Sequence, residues 1–226
     1  MKKFFAAFIT LFFISAAQAA LTPNPESFEG DVVFPAEWEA WGSGSGTTTY
    51  TTDIYIGDGT DGNHCLEISV FDTLCWGYAA AWTNDMPVIA GEGYTFSADY
   101  KMVTSETSGG FKVEWYTDLD RTNQVHVDYF DSVSPSLGAW THFSADLVAP
   151  AGAQYATVSV VAEGWCNQPE ITRFDMVSFA PTPCPYAIVG DVDNNCRVNL
   201  VDVSLMAANW LIDCIDDPAN PACVTP

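Results

Sequence analysis

Between Gly190 and Asp202 the chain reads GDVDNNCRVNLVD, with oxygen-bearing side chains at alternate positions. A hard cation such as calcium takes about six to eight oxygens, and a twelve-residue loop supplies them from positions 1, 3, 5, 7, 9 and 12. With Asp191 first, the others fall on Asp193, Asn195, the Arg197 carbonyl, Asn199 and Asp202. Val198 then takes position 8 as the apolar anchor, and Cys196 takes position 6, where glycine usually makes the turn. The spacing predicts a bound Ca2+, against the alternative of an unoccupied polar turn. The stretch DLDRTNQVHVDY begins the same way at Asp118 but ends on Tyr129, and predicts a hairpin turn instead.

A second constellation is aromatic. Sugar rings present apolar C–H faces beside hydroxyls, so a glycan site needs an exposed aromatic platform flanked by hydrogen-bonding side chains. In CWGYAAAW, residues 75 to 82, Trp76, Tyr78 and Trp82 share parity with Ala80 between them. One strand would place all three on one face and Gly77, Ala79 and Ala81 on a tightly packed inner face. The competing arrangement buries the three aromatics in the core. In FKVEWY, Trp115 shares the inward parity of Phe111 and Val113, which leaves Tyr116, Lys112 and Glu114 on the other face. Trp38, Trp41 and Trp165 lie in loop-like surroundings suited to a cleft rim, and Trp140 is expected inside. Tyr116 and Trp165 complete the candidate sugar contacts.

Catalytic patterns are thin. A glycosidase needs two carboxylates across a cleft, and Glu114, Asp118, Asp120 and Asp128 offer pairs, but a chain with 29 acids offers many. His64, His126 and His142 have no metal-ligand spacing. The protein is expected not to be an enzyme.

The elements that must position these residues are mostly strands. YTFSADYKM, residues 94 to 102, alternates apolar and polar residues with the two-residue period of a half-buried strand. Residues 111–116, 124–130, 156–163 and 172–180 follow suit, separated by turns such as GDGTDGN. Many short strands with Gly, Ser and Pro turns predict an all-β antiparallel sandwich. APTPCPY, residues 180 to 186, reads as an extended linker. Beyond the loop, Val203, Met206, Ala207, Trp210 and Leu211 fall on one face of a helix expected from Asp202 to Asp213.

SFEG (27 to 30), WEAWGSG (38 to 44), IAGEGYTFSADYK (89 to 101), WTHFSADLVAPAGAQYATVSV (140 to 160) and FDMVSF (174 to 179) together resemble the jelly-roll carbohydrate-binding modules of the family 4, 9 and 22 type. That resemblance covers residues 21 to 180. It implies a galactose-binding-like β-sandwich, a polysaccharide ligand and a structural calcium on Glu29 and Asp175, which otherwise read as ordinary acidic positions at strand ends. GDVDNNCRVNLVDVSLMAANWL, residues 190 to 211, is similar to a single dockerin type I repeat, which implies docking to a cohesin-like scaffold or cell-surface protein. Two departures stand out: only one copy is found where dockerins pair two, and loop positions 10 and 11 are Leu200 and Val201 rather than small hydroxylated residues.

The beginning of the chain predicts export from the cytoplasm. MKKFFAAFITLFFISAAQAA has Lys2 and Lys3, an apolar run to Ala16, and small residues at Ala17 and Ala19, the pattern of a cleaved signal peptide. The expected organisation is 1–19 signal peptide, 20–180 sandwich, 181–189 linker and 190–226 dockerin-like unit, in a secreted protein, extracellular or at the cell surface, without membrane insertion. A net charge of -22 argues against nucleic acid and anionic membranes. Export permits disulfides, and the seven cysteines leave one thiol over. Cys65 with Cys75 is a plausible local bridge. A helix of residues 202–213, about 17 Å long, sets Cys214 far from the loop, and the expected pairs are Cys184 with Cys214 and Cys196 with Cys223. Below about 40 residues a fold usually needs such staples or a metal. Rival readings are a structural surface protein without a glycan ligand and a glycan-active enzyme.

Overall fold

The computed structural model describes residues 26–31, 33–74, 76–104, 108–133, 137–164, 168–183, 189–192, 198 and 200–209. Residues 18–182 form one compact unit, and the chain beyond Thr182 belongs to a second.

The larger unit carries strands β1 (Trp38–Gly44), β2 (Thr48–Ile56), β3 (His64–Asp72), β4 (Gly77–Thr83), β5 (Met86–Pro87), β6 (Gly93–Met102), β7 (Ser108–Tyr116), β8 (Gln124–Val133), β9 (Thr141–Val148), β10 (Tyr155–Gly164) and β11 (Glu170–Pro181). One sheet runs β1-β4-β10-β7-β8, with β5 on β10, and the other runs β2-β3-β11-β6-β9. Every pairing is antiparallel. The all-β two-sheet sandwich expected from the alternation is the fold that forms.

Alternation dictates the layers. Along β6, Tyr94, Phe96, Ala98, Tyr100 and Met102 are buried while the residues between them are partly exposed. Facing them from β7 are Phe111, Val113 and Trp115, all 0% exposed. Phe111 packs against Phe96, Tyr100, Phe143 and Phe174 with ring centroids 4.9 to 5.9 Å apart. The Trp115 indole, buried as expected, donates to Asp128 Oδ2 at 2.7 Å, so its one polar atom is satisfied. β10 is buried along nearly its whole length: β4 and β7 pair with its edges, its inward residues join the core, and Lys112 of β7 reaches across its outer face to Tyr78 of β4. At Met176, with φ 50°, β11 changes register, and Val177 turns inward to bridge Glu26.

Several expectations are corrected. Residues 38–44 form β1 rather than a loop, and three positions along a strand reverse the face. Trp38 is therefore core at 4% exposed, and Trp41 points outward at 49%. Trp140 lies outside the core: it shares the outward parity of His142, and its indole donates to Asp58 Oδ1 at 3.2 Å. Cys65 keeps a free thiol, so the bridge to Cys75 is not made. Cys65 lies in register with Tyr55, whose ring carries the Arg173 guanidinium at 3.3 Å. Desolvation pushes the thiol pKa to about 12. Asp118 does build a hairpin turn, accepting from Thr122 N at 3.0 Å and Asn123 Nδ2 at 2.5 Å.

In the second unit, helix α1 (Leu200–Asn209) starts two residues before the expected Asp202. Asp202 is buried, and its Oδ1 accepts Val192 N at 2.7 Å. Val203 and Met206, from the apolar face, are 51% and 40% exposed, and Ala207 is exposed too. Trp210 and Leu211 lie outside the described residues, as do Cys75, Cys184, Cys196, Cys214 and Cys223. No helix among the described residues is long and apolar enough to cross a membrane.

Candidate functional site: an aromatic trough across one sheet

The outward face of the β1-β4-β10-β7-β8 sheet carries the chemistry. β4 turns Ala79 and Ala81 into the core and Tyr78, Ala80 and Trp82 outward, the division expected from its parity. Across the strands, Trp41 lies in register with Ala80, Ala80 with Val161, and Val161 with Gly110. Ala80 and Val161 are buried beneath the larger side chains of this face, at 1% and 0% exposed. A Cβ on Gly110 would sit 3.3 Å from Phe130 O and 3.8 Å from both Tyr129 Oη and Val161, so glycine leaves room for the Tyr129 side chain.

The result is an open trough of about 410 Å³ lined by Trp41, Ser43, Trp76, Tyr78, Lys112, Tyr129 and Glu163. The Trp41 and Tyr78 rings meet edge to face, with centroids 5.6 Å apart. Trp76, 38% exposed, sits just before β4. From β7, Lys112 Nζ reaches over β10 to donate to Tyr78 Oη at 2.6 Å, and it lies 4.8 Å from the Tyr78 ring centroid and 5.4 Å from that of Tyr129. Tyr129 in turn donates to Glu163 Oε1 at 3.1 Å. Burial pushes the Tyr78 phenol up against the opposing pull of Lys112. The trough thus offers ring faces, a cationic donor and an anionic acceptor side by side.

One end of the trough is held by Asp72, which is 4% exposed. Its carboxylate accepts from Leu74 N at 2.7 Å, Thr48 Oγ1 at 2.8 Å, Gly46 N at 3.1 Å and Ser45 Oγ at 3.3 Å. Ser45 N donates to Trp76 O at 2.9 Å, which ties the β1–β2 turn to the residue before β4. Burial works against ionisation of Asp72, but those four donors outweigh it and hold its pKa below the usual carboxylate value.

Of the sequence-predicted sugar contacts, Trp76 and Tyr78 line the trough, Trp76 at 38% exposed and Tyr78 buried at 8%. Trp82 shares their face but packs on the Tyr78–Ala80–Val161 cluster, its indole donating to Glu39 Oε2 at 3.0 Å. Tyr116, 7% exposed, lies opposite Tyr155 and accepts Gln124 Nε2 at 3.3 Å, away from the lining. Trp165 lies outside the described residues. Ser43, Tyr129 and Glu163 were not anticipated.

The acidic candidates are placed as follows. Glu29 accepts Asn63 N at 2.6 Å and His64 N at 2.7 Å, and its Oε2 lies 3.2 Å from His64 Nδ1; the His64 hydrogen bonds lead in lowering its pKa. Asp175 accepts Thr60 N at 2.6 Å, Thr60 Oγ1 at 2.9 Å and Met176 N at 2.8 Å, while burial pushes its pKa up. Protein donors thus take up both carboxylates. In the predicted calcium loop, Asp193, Asn195, Arg197 and Asn199 lie outside the described residues, and Asp202 closes on Val192. Among the described residues no group of three or more His, Cys, Asp or Glu is gathered as a metal site.

No family model and no curated protein matches the sequence. Solved structures do match in fold. A structure described as the basis of the promiscuous specificity of carbohydrate-binding modules of the β-sandwich superfamily superposes with a TM-score of 0.53 at 9% identity, over 69% of this chain and 61% of that one. The arabinose-bound MgGH51 α-L-arabinofuranosidase superposes at 0.51 with 14% identity, over 74% of this chain and 27% of that one. The CBM22-2 xylan-binding domain of Paenibacillus barcinonensis Xyn10C gives 0.46 at 16% identity, over 70% of this chain and 98% of that one. The protein's larger unit is a β-sandwich matching the jelly roll of carbohydrate-binding modules.

Proposed function

We propose that the protein is an exported, non-catalytic polysaccharide-binding protein whose trough holds the glycan and whose C-terminal segment binds calcium and docks. The observation that carries the glycan reading is the trough itself: Trp41, 49% exposed, and Trp76, 38% exposed, offer ring faces beside Lys112, Tyr129 and Glu163, with Tyr78 buried beneath Lys112. Aromatic faces stack on sugar C–H surfaces while charged and phenolic groups meet the hydroxyls. Its strands lie about 4.8 Å apart, so a chain laid across the sheet meets each strand in turn. The modules with the same fold are described as carbohydrate-binding, which supports the assignment.

The non-catalytic part of the proposal is supported by the lining: among the described residues Glu163 is its single carboxylate, whereas glycoside hydrolysis ordinarily uses a pair. The docking part rests on the dockerin-like repeat: the Asp202–Val192 hydrogen bond spans the proposed calcium loop, and the exposed Val203 and Met206 leave an apolar helix face for a partner. In the loop, Asp191, Asp193, Asn195, the Arg197 carbonyl, Asn199 and Asp202 would hold the ion, and Glu29 with Asp175 remain candidates for a second one. Calcium would supply structural cross-linking. A cohesin-like scaffold or cell-surface protein is the proposed docking partner.

Retention of the full chain on a panel of insoluble and gel-embedded polysaccharides tests the glycan reading. Retention on at least one, with no release of reducing sugar, is expected; no retention on any contradicts it, and sugar release favours an enzyme.

A further inference from the structure

The chain has 29 acids against 7 Lys and Arg, so a cation without a carboxylate is unusual in it. Among the described residues, Lys101 pairs with Asp58 at 2.8 Å, Arg121 with Asp85 at 2.9 Å, and Arg173 with Glu67 at 2.8 Å. Lys112 makes no such pair among the described residues. It stands instead in the trough, its ammonium on Tyr78 Oη and beside two tyrosine rings.

An ammonium has three donors, and Tyr78 takes one. The rings fix the lysine by cation–π attraction without neutralising it, so a formal positive charge faces the space a glycan would fill. Glu163, whose Oε1 accepts the Tyr129 hydroxyl, contributes an acceptor on the same lining. A polyanion meets repulsion from a chain of net charge -22. At physiological salt that field is screened within about 8 Å, and contact at Lys112 then decides whether a single carboxylate is taken.

Resting on the glycan reading above, we propose that the trough selects a neutral glycan backbone carrying isolated uronate groups, with Lys112 pairing the uronate carboxylate. A charge-assisted pair of this kind separates ligands by about tenfold or more. The Tyr78 and Tyr129 rings set where the ammonium stands, and Glu163 disfavours a second carboxylate close to the first.

The test uses the full chain and a panel of uronate-substituted xylans and gums, each in native and carboxyl-reduced form, with polygalacturonate and neutral glucans, mannans and arabinans alongside. Affinity electrophoresis of wild type is expected to favour a native substituted polymer over its reduced form by about tenfold, with polygalacturonate bound less. Lys112→Met should erase that preference and Lys112→Arg should keep it. Equal retention of native and reduced forms, or binding confined to neutral polymers, overturns the charge assignment and leaves the glycan reading standing. Retention on no polymer overturns both. The native-against-reduced comparison on wild type stands even if Lys112→Met fails to fold.

Discussion

Thr48 Oγ1 donates to Asp72 Oδ2 at 2.8 Å, and through that bond the start of β2 is fastened to the end of β3, the strand that leads to Trp76. Three other donors converge on the same carboxylate. Because they hold the folded pKa of Asp72 below its unfolded value, its contribution is present above the unfolded pKa and is lost as pH falls through the folded one. Thermal unfolding from neutral to acid pH should therefore show a loss of stability in the acid range that Asp72→Asn makes smaller. The same variant should weaken glycan retention at neutral pH while leaving far-ultraviolet circular dichroism unchanged.

Phe111 is fully buried and packs on four other rings. Its removal strips contacts from both sheets at once, and Phe111→Ala should cost about 3–5 kcal/mol. Urea unfolding measures this. A cost near zero would mean that the two sheets do not share one core.

With its pKa raised to about 12 and 0% exposure, the Cys65 thiol should resist iodoacetamide at pH 8 in the folded protein and react once it is denatured. Peptide mass spectrometry reads the label directly. Fast labelling in the native state, or a disulfide to Cys75, would contradict the packing of Tyr55 and Arg173 above it.

Titration calorimetry of the full chain with calcium should show binding that Asp191→Ala removes. If the heat survives in Asp191→Ala and disappears in Asp175→Asn, the ion belongs to the sandwich rather than to residues 191–202. No heat with wild type removes calcium from the proposal.

The sandwich was legible because its strands obey the two-residue period so closely: Tyr94 to Met102 in β6 and Phe111 to Trp115 in β7 fall inward as read. The inner side of β4, Ala79 and Ala81, was legible for the same reason, but exposure on its other side was not: Tyr78 shares the outward parity and is only 8% exposed, beneath Lys112. What parity cannot say is which outward aromatics meet across strands. Trp41 joins Tyr78 through the β1–β4 register, and Tyr129 arrives from β8 after a register shift opposite Gly109 and Phe111. Val125 and Tyr129, apolar and aromatic on one parity of β8, are 39% and 40% exposed, while Asp128 on the other parity turns to the Trp115 indole. The three-residue spacing of Trp38 and Trp41 held the information about β1, hidden by a glycine- and serine-rich tail that resembles a loop.

The most direct measurement is the affinity of Trp41→Ala and Trp82→Ala proteins for whichever polysaccharide the wild type retains. Removing a ring that stacks on sugar should cost about 1.5–3 kcal/mol, a tenfold loss or more. The account expects that loss for Trp41→Ala, whose ring walls the trough, and a much smaller change for Trp82→Ala, whose indole is held by Glu39 outside it. Unchanged affinity in Trp41→Ala, with the fold intact, would contradict it.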